Sequence, residues 1–159
     1  MAVWGAFAVV AFLSHSSPDA ALVAPLPDAY GRPAQHQMVI PADGDNQCYV
    51  EGEVAGRRYR FLMDSGAGGY LFFSAKDARR LGLNPATLEF DHEYQEWGGT
   101  VRGAHVTLPR FRVSGFSLDR VRATIDETGG VVDDGPLMGS QILKLLHFRV
   151  VDGSCIISW

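Results

Sequence analysis

Cysteine is scarce in this sequence: Cys48 and Cys155 are the only two among 159 residues. Two thiols cannot staple a disulfide-dense scaffold or supply a cysteine-rich zinc site. There is no long basic run, and 14 basic against 18 acidic residues give a formal net charge of −4. That balance offers no electrostatic footprint for nucleic acid. No Gly-x-Ser-x-Gly elbow and no Gly-Lys-Ser/Thr phosphate loop occurs. Gly66-Ala67-Gly68 follows a strand pattern, but Leu71 stands where a dinucleotide loop needs its third glycine. Asp43-Gly44-Asp45-Asn46 lacks the later ligands of a calcium loop and reads as a turn. The histidines, His15, His36, His92, His105 and His147, form no His-Glu-x-x-His motif and no close pair along the chain. They are expected as surface or core residues, with no metal site.

What is present describes a globular chain. Apolar residues make up 47% and charged residues 20%, and the length suits one domain with a proper core. The 18 glycines are spread along the chain, which points to turns and strands. Ala2 to Leu13 is an apolar run without a polar side chain. It is shorter than the roughly 20 residues of a membrane-crossing helix and suits the apolar region of a secretory signal. Small residues with cleavage-like spacing follow at Ala20 and Ala24, although no Lys or Arg precedes the run. Residues 1–24 are therefore expected to be a signal peptide or an N-terminal membrane anchor. Residues 25–37, with Pro25, Pro27 and Pro33, are expected to be a flexible linker, and residues 38–159 the folded domain. The expected destination is periplasmic or secreted, with N-terminal membrane association as the variant reading.

From Met38 onward the hydrophobic period is two. Val50 and Val54 alternate with Glu51 and Glu53; after the Ala55-Gly56 turn, Tyr59, Phe61 and Met63 alternate with Arg58 and Arg60. That predicts a hairpin with one buried face. Val106/Leu108, Phe111/Val113, Phe116/Leu118 and Val121/Ala123/Ile125 continue the pattern, and Asp152-Gly153 marks a last hairpin. Only two helices are expected. One is capped by Ser74, has Asp77 three residues on, and ends at Gly82; the other begins near Ser140. The fold class is mostly β.

One stretch carries chemistry. Phe61-Leu62-Met63 runs directly into Asp64-Ser65-Gly66-Ala67. As a bare pattern this is a strand-ending turn, because Asp, Ser and Gly are common turn formers. In context it resembles the active-site motif of aspartic proteases, two apolar residues followed by Asp-Thr/Ser-Gly-Ala. Arg80-Leu81-Gly82-Leu83 is similar to the end of a short helix in bacterial retropepsin-like members. Pro136-Leu137-Met138-Gly139, leading into a helix, resembles their second signature. The likeness spans about Val39 to Trp159.

The resemblance implies a closed retropepsin-like β-barrel with two short helices and one lobe per chain. It implies Asp64 as the catalytic carboxylate, with Ser65, Gly66 and Ala67 forming the active-site loop. Leu137, Met138 and Gly139 would support that loop from beneath. A glycine-tipped hairpin covers the cleft in the family; Trp97, Gly98 and Gly99 are the candidate flap here, though the usual sequence is not closely matched. No cofactor and no metal is implied, since carboxylates activate the water themselves.

The chain carries a single Asp-Ser-Gly motif in one-domain length; Asp134-Gly135 and Asp152-Gly153-Ser154 do not match it. The second carboxylate must then come from a second copy across a two-fold axis. The resulting expectation is an aspartic endopeptidase acting on polypeptides as a homodimer, with an Asp64/Asp64′ dyad. The rival expectation is a non-catalytic binding or assembly module on the same fold. Pairing of Cys48 with Cys155 cannot be read from sequence, and because buried free cysteine is common the free form is favoured.

The N-terminal reading has a direct check. Mature protein is expected to begin close to Pro25, as N-terminal sequencing of fractionated cells would reveal. Intact Met1 in a soluble cytoplasmic fraction would contradict it.

Overall fold

The structure is a computed structural model describing residues 36–96, 99–128 and 135–159. Its strands are β1 (Gln37–Pro41), β2 (Tyr49–Val54), β3 (Arg57–Met63), β4 (Leu71–Ser74), β5 (His92–Glu96), β6 (Gly99–Val113), β7 (Phe116–Asp126), β8 (Leu137–Met138), β9 (Arg149–Val151) and β10 (Ser154–Ser158). The helices are α1 (Ala75–Arg80) and α2 (Ser140–Leu145), with a 3-10 turn at Pro85–Thr87.

The alternation in sequence becomes a barrel. β2 and β3 pair antiparallel about the Ala55-Gly56 turn, whose φ values of 50° and 77° match the primed two-residue hairpin. Neighbouring strands then run β2-β3-β8-β4-β7-β6, and β6 returns to β2 through Glu53↔Arg112 and Val54↔Phe111, closing six strands. β3 runs parallel to β8, and β4 parallel to β7. Closure leaves the barrel no open edge. β5 continues the sheet outward as a hairpin arm on β6.

Inward residues fill the barrel. Phe61, Phe73 and Phe111 are fully buried. Phe61 meets Phe73 at 5.9 Å and Phe111 at 5.6 Å between ring centroids, both edge-to-face, the arrangement aromatic quadrupoles favour. Both expected helices are present. Ser74 Oγ accepts from the Asp77 N–H at 3.2 Å and donates to Asp77 Oδ2 at 2.9 Å. Gly82, at φ 84°, ends the helical segment as expected.

A second, three-stranded sheet has the order β1-β10-β9. β1 takes in Gln37, the last residue assigned to the linker. His36 and Trp159 exchange backbone hydrogen bonds at 3.1 Å each way. The remaining signal-or-anchor and linker expectations lie outside the described residues. The two cysteines correct the free-thiol expectation: Cys48 and Cys155 form a disulfide, with Cα atoms 6.2 Å apart. Periodicity along each strand carries no information on how one sheet lies over another, which is why the proximity was not legible.

This bond ties the barrel to the terminal sheet across 107 residues of sequence. Closing so long a loop in the unfolded chain is worth about 4–5 kcal/mol on a chain-entropy basis. The double variant Cys48→Ser/Cys155→Ser is therefore expected to lose about 3–5 kcal/mol in denaturant unfolding. An unchanged unfolding midpoint, or two free thiols in unreduced denatured protein, would contradict the bridge.

Candidate active site

Asp64 stands immediately after β3, where the strand leaves the barrel. Its N–H donates to the Met138 carbonyl at 3.0 Å, extending the β3–β8 pairing by one bond. Its side chain is half-buried, and Oδ1 accepts from the Gly66 N–H at 2.8 Å. The carboxylate is thus oriented by its own loop while remaining open to the cleft. Ser65 is exposed, and its hydroxyl makes no hydrogen bond among the described residues.

The second signature holds the loop from below. A helix begins with backbone N–H groups that have no partner inside the helix. Here those of Gly139, Ser140 and Gln141 donate to the carbonyls of Tyr70 (2.8 Å), Ala67 (2.8 Å) and Gly69 (3.0 Å). The start of α2 and the 64–70 loop satisfy each other. Gly139 is required by this contact: a Cβ there would lie 2.4 Å from the Gly69 carbonyl oxygen and 2.9 Å from that of Ala67. Leu137 and Met138 are buried, pairing with Leu62 and Met63 on one side and with Phe72 and Leu71 on the other.

A cavity of about 620 Å³ opens beside Asp64. The glycine loop 66–69 forms one wall, Phe72 and Leu137 the apolar floor, and His92, Tyr94 and His105 the far wall. The far wall belongs to the β5–β6 hairpin, which contains the candidate flap. Gly99 opens β6 opposite Glu96, at φ 130°; Trp97 and Gly98 lie outside the described residues.

Phe72, Tyr94, Thr124, His92 and His105 were not picked out from the sequence as cleft residues. His92 and His105 are 13 positions apart and look unrelated. The hairpin register sets His92 opposite Gly103, two residues from His105, and the rings stack at 3.7 Å. The pair Gly98-Gly99 between two stretches of strand-like residues was the available signal. Gly103 has no side chain because a Cβ would meet Thr124 at 2.6 Å and Tyr94 at 2.8 Å. Burial holds the His105 pKa below the usual imidazole value, and the neighbouring His92 and Arg122 lower it further, against a raising effect of Asp91. His92 lies 3.4 Å from Asp91. A separate cavity, of about 560 Å³, is lined by Tyr59, Lys76, Asp77 and Arg80. Both acids that line it are engaged, the buried Asp77 with Ser74 and Arg80 and Glu127 with Arg102. Among the described residues no group of three or more His, Cys, Asp or Glu side chains is arranged to hold a metal ion.

The aspartyl protease family model matches residues 50–142, which includes both signatures and the hairpin between them. The chain belongs to the aspartyl protease family. Its fold is similar to that of a retropepsin-like aspartic protease from Rickettsia conorii, with a TM-score of 0.66 and 21% identity, over 78% of this chain and 91% of that one. It is also similar to the EIAV protease in complex with the inhibitor HBY-793, with a TM-score of 0.51 and 15% identity, over 70% of this chain and 99% of that one. At these identities the likeness establishes the retropepsin-like barrel, one lobe per chain. No curated protein matches the sequence.

Two outcomes follow for this aspartyl protease domain. Gly139→Ala forces backbone against backbone under the loop, and is expected to cost about 1–3 kcal/mol in thermal or denaturant unfolding. Wild-type stability in that variant would contradict the packing described. The second concerns pH. A histidine with a lowered folded-state pKa takes up protons more readily when unfolded, so its contribution to stability is lost as pH falls below about 6.5. His105→Gln is expected to flatten the decline of Tm between about pH 7.5 and 5.5; an unchanged slope would contradict it.

Proposed function

We propose that the protein is an aspartic endopeptidase that works as a homodimer, each active site using Asp64 from both copies. The observation that carries this reading is the single Asp64 loop, clamped by the second signature, in a chain with one lobe. Hydrolysis of an amide by carboxylates needs one to take a proton from water and another to donate a proton to the carbonyl oxygen. Two carboxylates at hydrogen-bonding distance cannot both ionise, so they share a proton and divide the roles. One Asp64 supplies half of that pair. A two-fold axis passing beside the loop brings the other half, and Ser65, exposed next to Asp64, is available to bond across it. Gly66 orients Asp64 through its N–H and adds no side chain against the attacking water. Phe72, Leu137 and Tyr94 form an apolar wall for a bound polypeptide.

The export reading belongs with this proposal. A disulfide between Cys48 and Cys155 suits an oxidising compartment such as the periplasm or the exterior. The apolar Ala2–Leu13 run is the feature that would direct it there, as a cleaved signal or as an anchor.

Asp64→Asn keeps the shape of the side chain and removes its acid–base chemistry. It is expected to lower the turnover of an unstructured protein substrate by at least about 1,000-fold without changing the circular dichroism spectrum. Wild-type activity per protomer is expected to fall on dilution, because mass action separates the two halves of the site. An active Asp64→Asn variant, or a dilution-insensitive active monomer, would refute the dyad. A stable dimer that cleaves no polypeptide at any pH would instead favour the binding-module reading.

A further inference from the structure

One row of residues crosses four strands beside the catalytic loop. Leu137 on β8 pairs with Phe72 on β4, Phe72 with Thr124 on β7, and Thr124 with His105 on β6. The row begins at the apolar floor next to Asp64 and ends in polar groups. A smaller cavity, of about 320 Å³, continues the cleft past that end. It shares Gly68, Gly69, Thr124 and His105 with the cavity at Asp64 and adds Arg122.

Arg122 lies two residues before Thr124 on β7, so both project from the same face of the sheet. It is exposed, and it makes no ion pair among the described residues. That differs from its neighbours: Arg110 is bound to Asp119 at 2.6 Å, and Arg102 reaches Glu127 at 3.4 Å. The charged groups around His105 are Arg122 on β7, His92 on β5 and Asp91 just before β5. Asp91 is engaged with His92. Glu93, in register with Arg102, lines the cavity at Asp64 but not the part that Arg122 lines. The part of the cleft that Arg122 lines therefore holds one guanidinium without an ion pair next to the imidazole of His105, and among the described residues no carboxylate lines it. An exposed guanidinium with no ion pair is free to take an anion, binding a carboxylate through two parallel N–H donors, while the imidazole of His105 beside it can donate a further hydrogen bond.

We propose that this end of the cleft is a subsite for an acidic side chain of the polypeptide substrate, with Arg122 and His105 as the specificity-determining residues. The inference rests on the peptidase reading above and deepens it. The substrate runs along the glycine loop 66–69, its scissile bond at Asp64. A Glu or Asp some residues to one side then places its carboxylate between Arg122 and His105.

The test uses the full chain and paired peptides that share one cleaved sequence. A Glu is moved along it position by position, each peptide matched to its Gln counterpart. At about pH 6, where a free Glu side chain is ionised, one position is expected to show a Glu-over-Gln advantage in kcat/KM of roughly tenfold. The ratio is expected to fall close to one in Arg122→Gln, and to fall partway in His105→Gln. Because each variant is judged by a ratio between two peptides, a general loss of activity does not imitate the result. No acidic preference at any position, or a preference that survives Arg122→Gln, overturns the proposal. If no peptide is cleaved, the peptidase reading fails and the subsite is judged by binding. Fluorescence anisotropy of the same labelled peptides on Asp64→Asn protein either shows an Arg122-dependent Glu preference, which supports the subsite, or equal binding of Glu and Gln peptides, which rejects it.

Discussion

Three hydrogen bonds hold the centre of this molecule in place. The first N–H groups around the start of α2 would be unsatisfied in an isolated helix, and the carbonyls of Ala67, Gly69 and Tyr70 would be unsatisfied in an isolated loop. Each set solves the other's problem. The exchange demands a close approach of two backbones, and Gly139 permits it because any side chain would collide with the Gly69 carbonyl. Asp64 is thereby held at the mouth of the barrel on a loop with little freedom. The barrel's parallel pairings, β3 with β8 and β4 with β7, deliver the two strands that begin and end this clamp. The aromatic core and the closed sheet matter to the site mainly because they fix those strand ends.

The clamp also bears on the proposed two-copy site. Everything that orients Asp64 lies within one chain, whereas acid–base hydrolysis by carboxylates calls for two of them. The exposed Ser65 and the open side of the loop are what a two-fold partner would meet. The cleft has its own polarity along the sheet, apolar at Leu137 and Phe72, polar at His105 and cationic at Arg122. In the proposed peptidase such a gradient would discriminate among substrates through the side chains that flank the scissile bond, leaving the chemistry at Asp64 unchanged.

Much of this was legible in the amino-acid sequence, for a physical reason. Period-two alternation is a local property, so the β2–β3 hairpin, the long β6–β7 pair and the last hairpin at Asp152-Gly153 could be read directly. Caps are local too, and Ser74 with Asp77 announced α1. The Asp64 and Gly139 signatures are short local patterns too, and their resemblance to those of a known family is what paired them. What escaped depends on how distant segments meet. The Cys48–Cys155 bridge joins two sheets, and no strand pattern says how one sheet sits against another. The His92–His105 stack and the approach of Arg122 arise from cross-strand register. A one-residue slip would send each of those side chains to the opposite face. The role of α2 was visible only as a glycine before a helix; the destination of its N–H groups required the fold.

The shared dyad is the central claim, and subunit mixing tests it most directly. Wild-type and Asp64→Asn protomers, held at constant total concentration in equal amounts and allowed to exchange, distribute among the three possible dimers by chance. If each site needs both carboxylates, only wild-type homodimers work, and activity is expected at about one quarter of the all-wild-type value. Activity at about one half, as for protomers that act independently, or at about three quarters, as for a shared site in which one Asp64 suffices, would contradict the account.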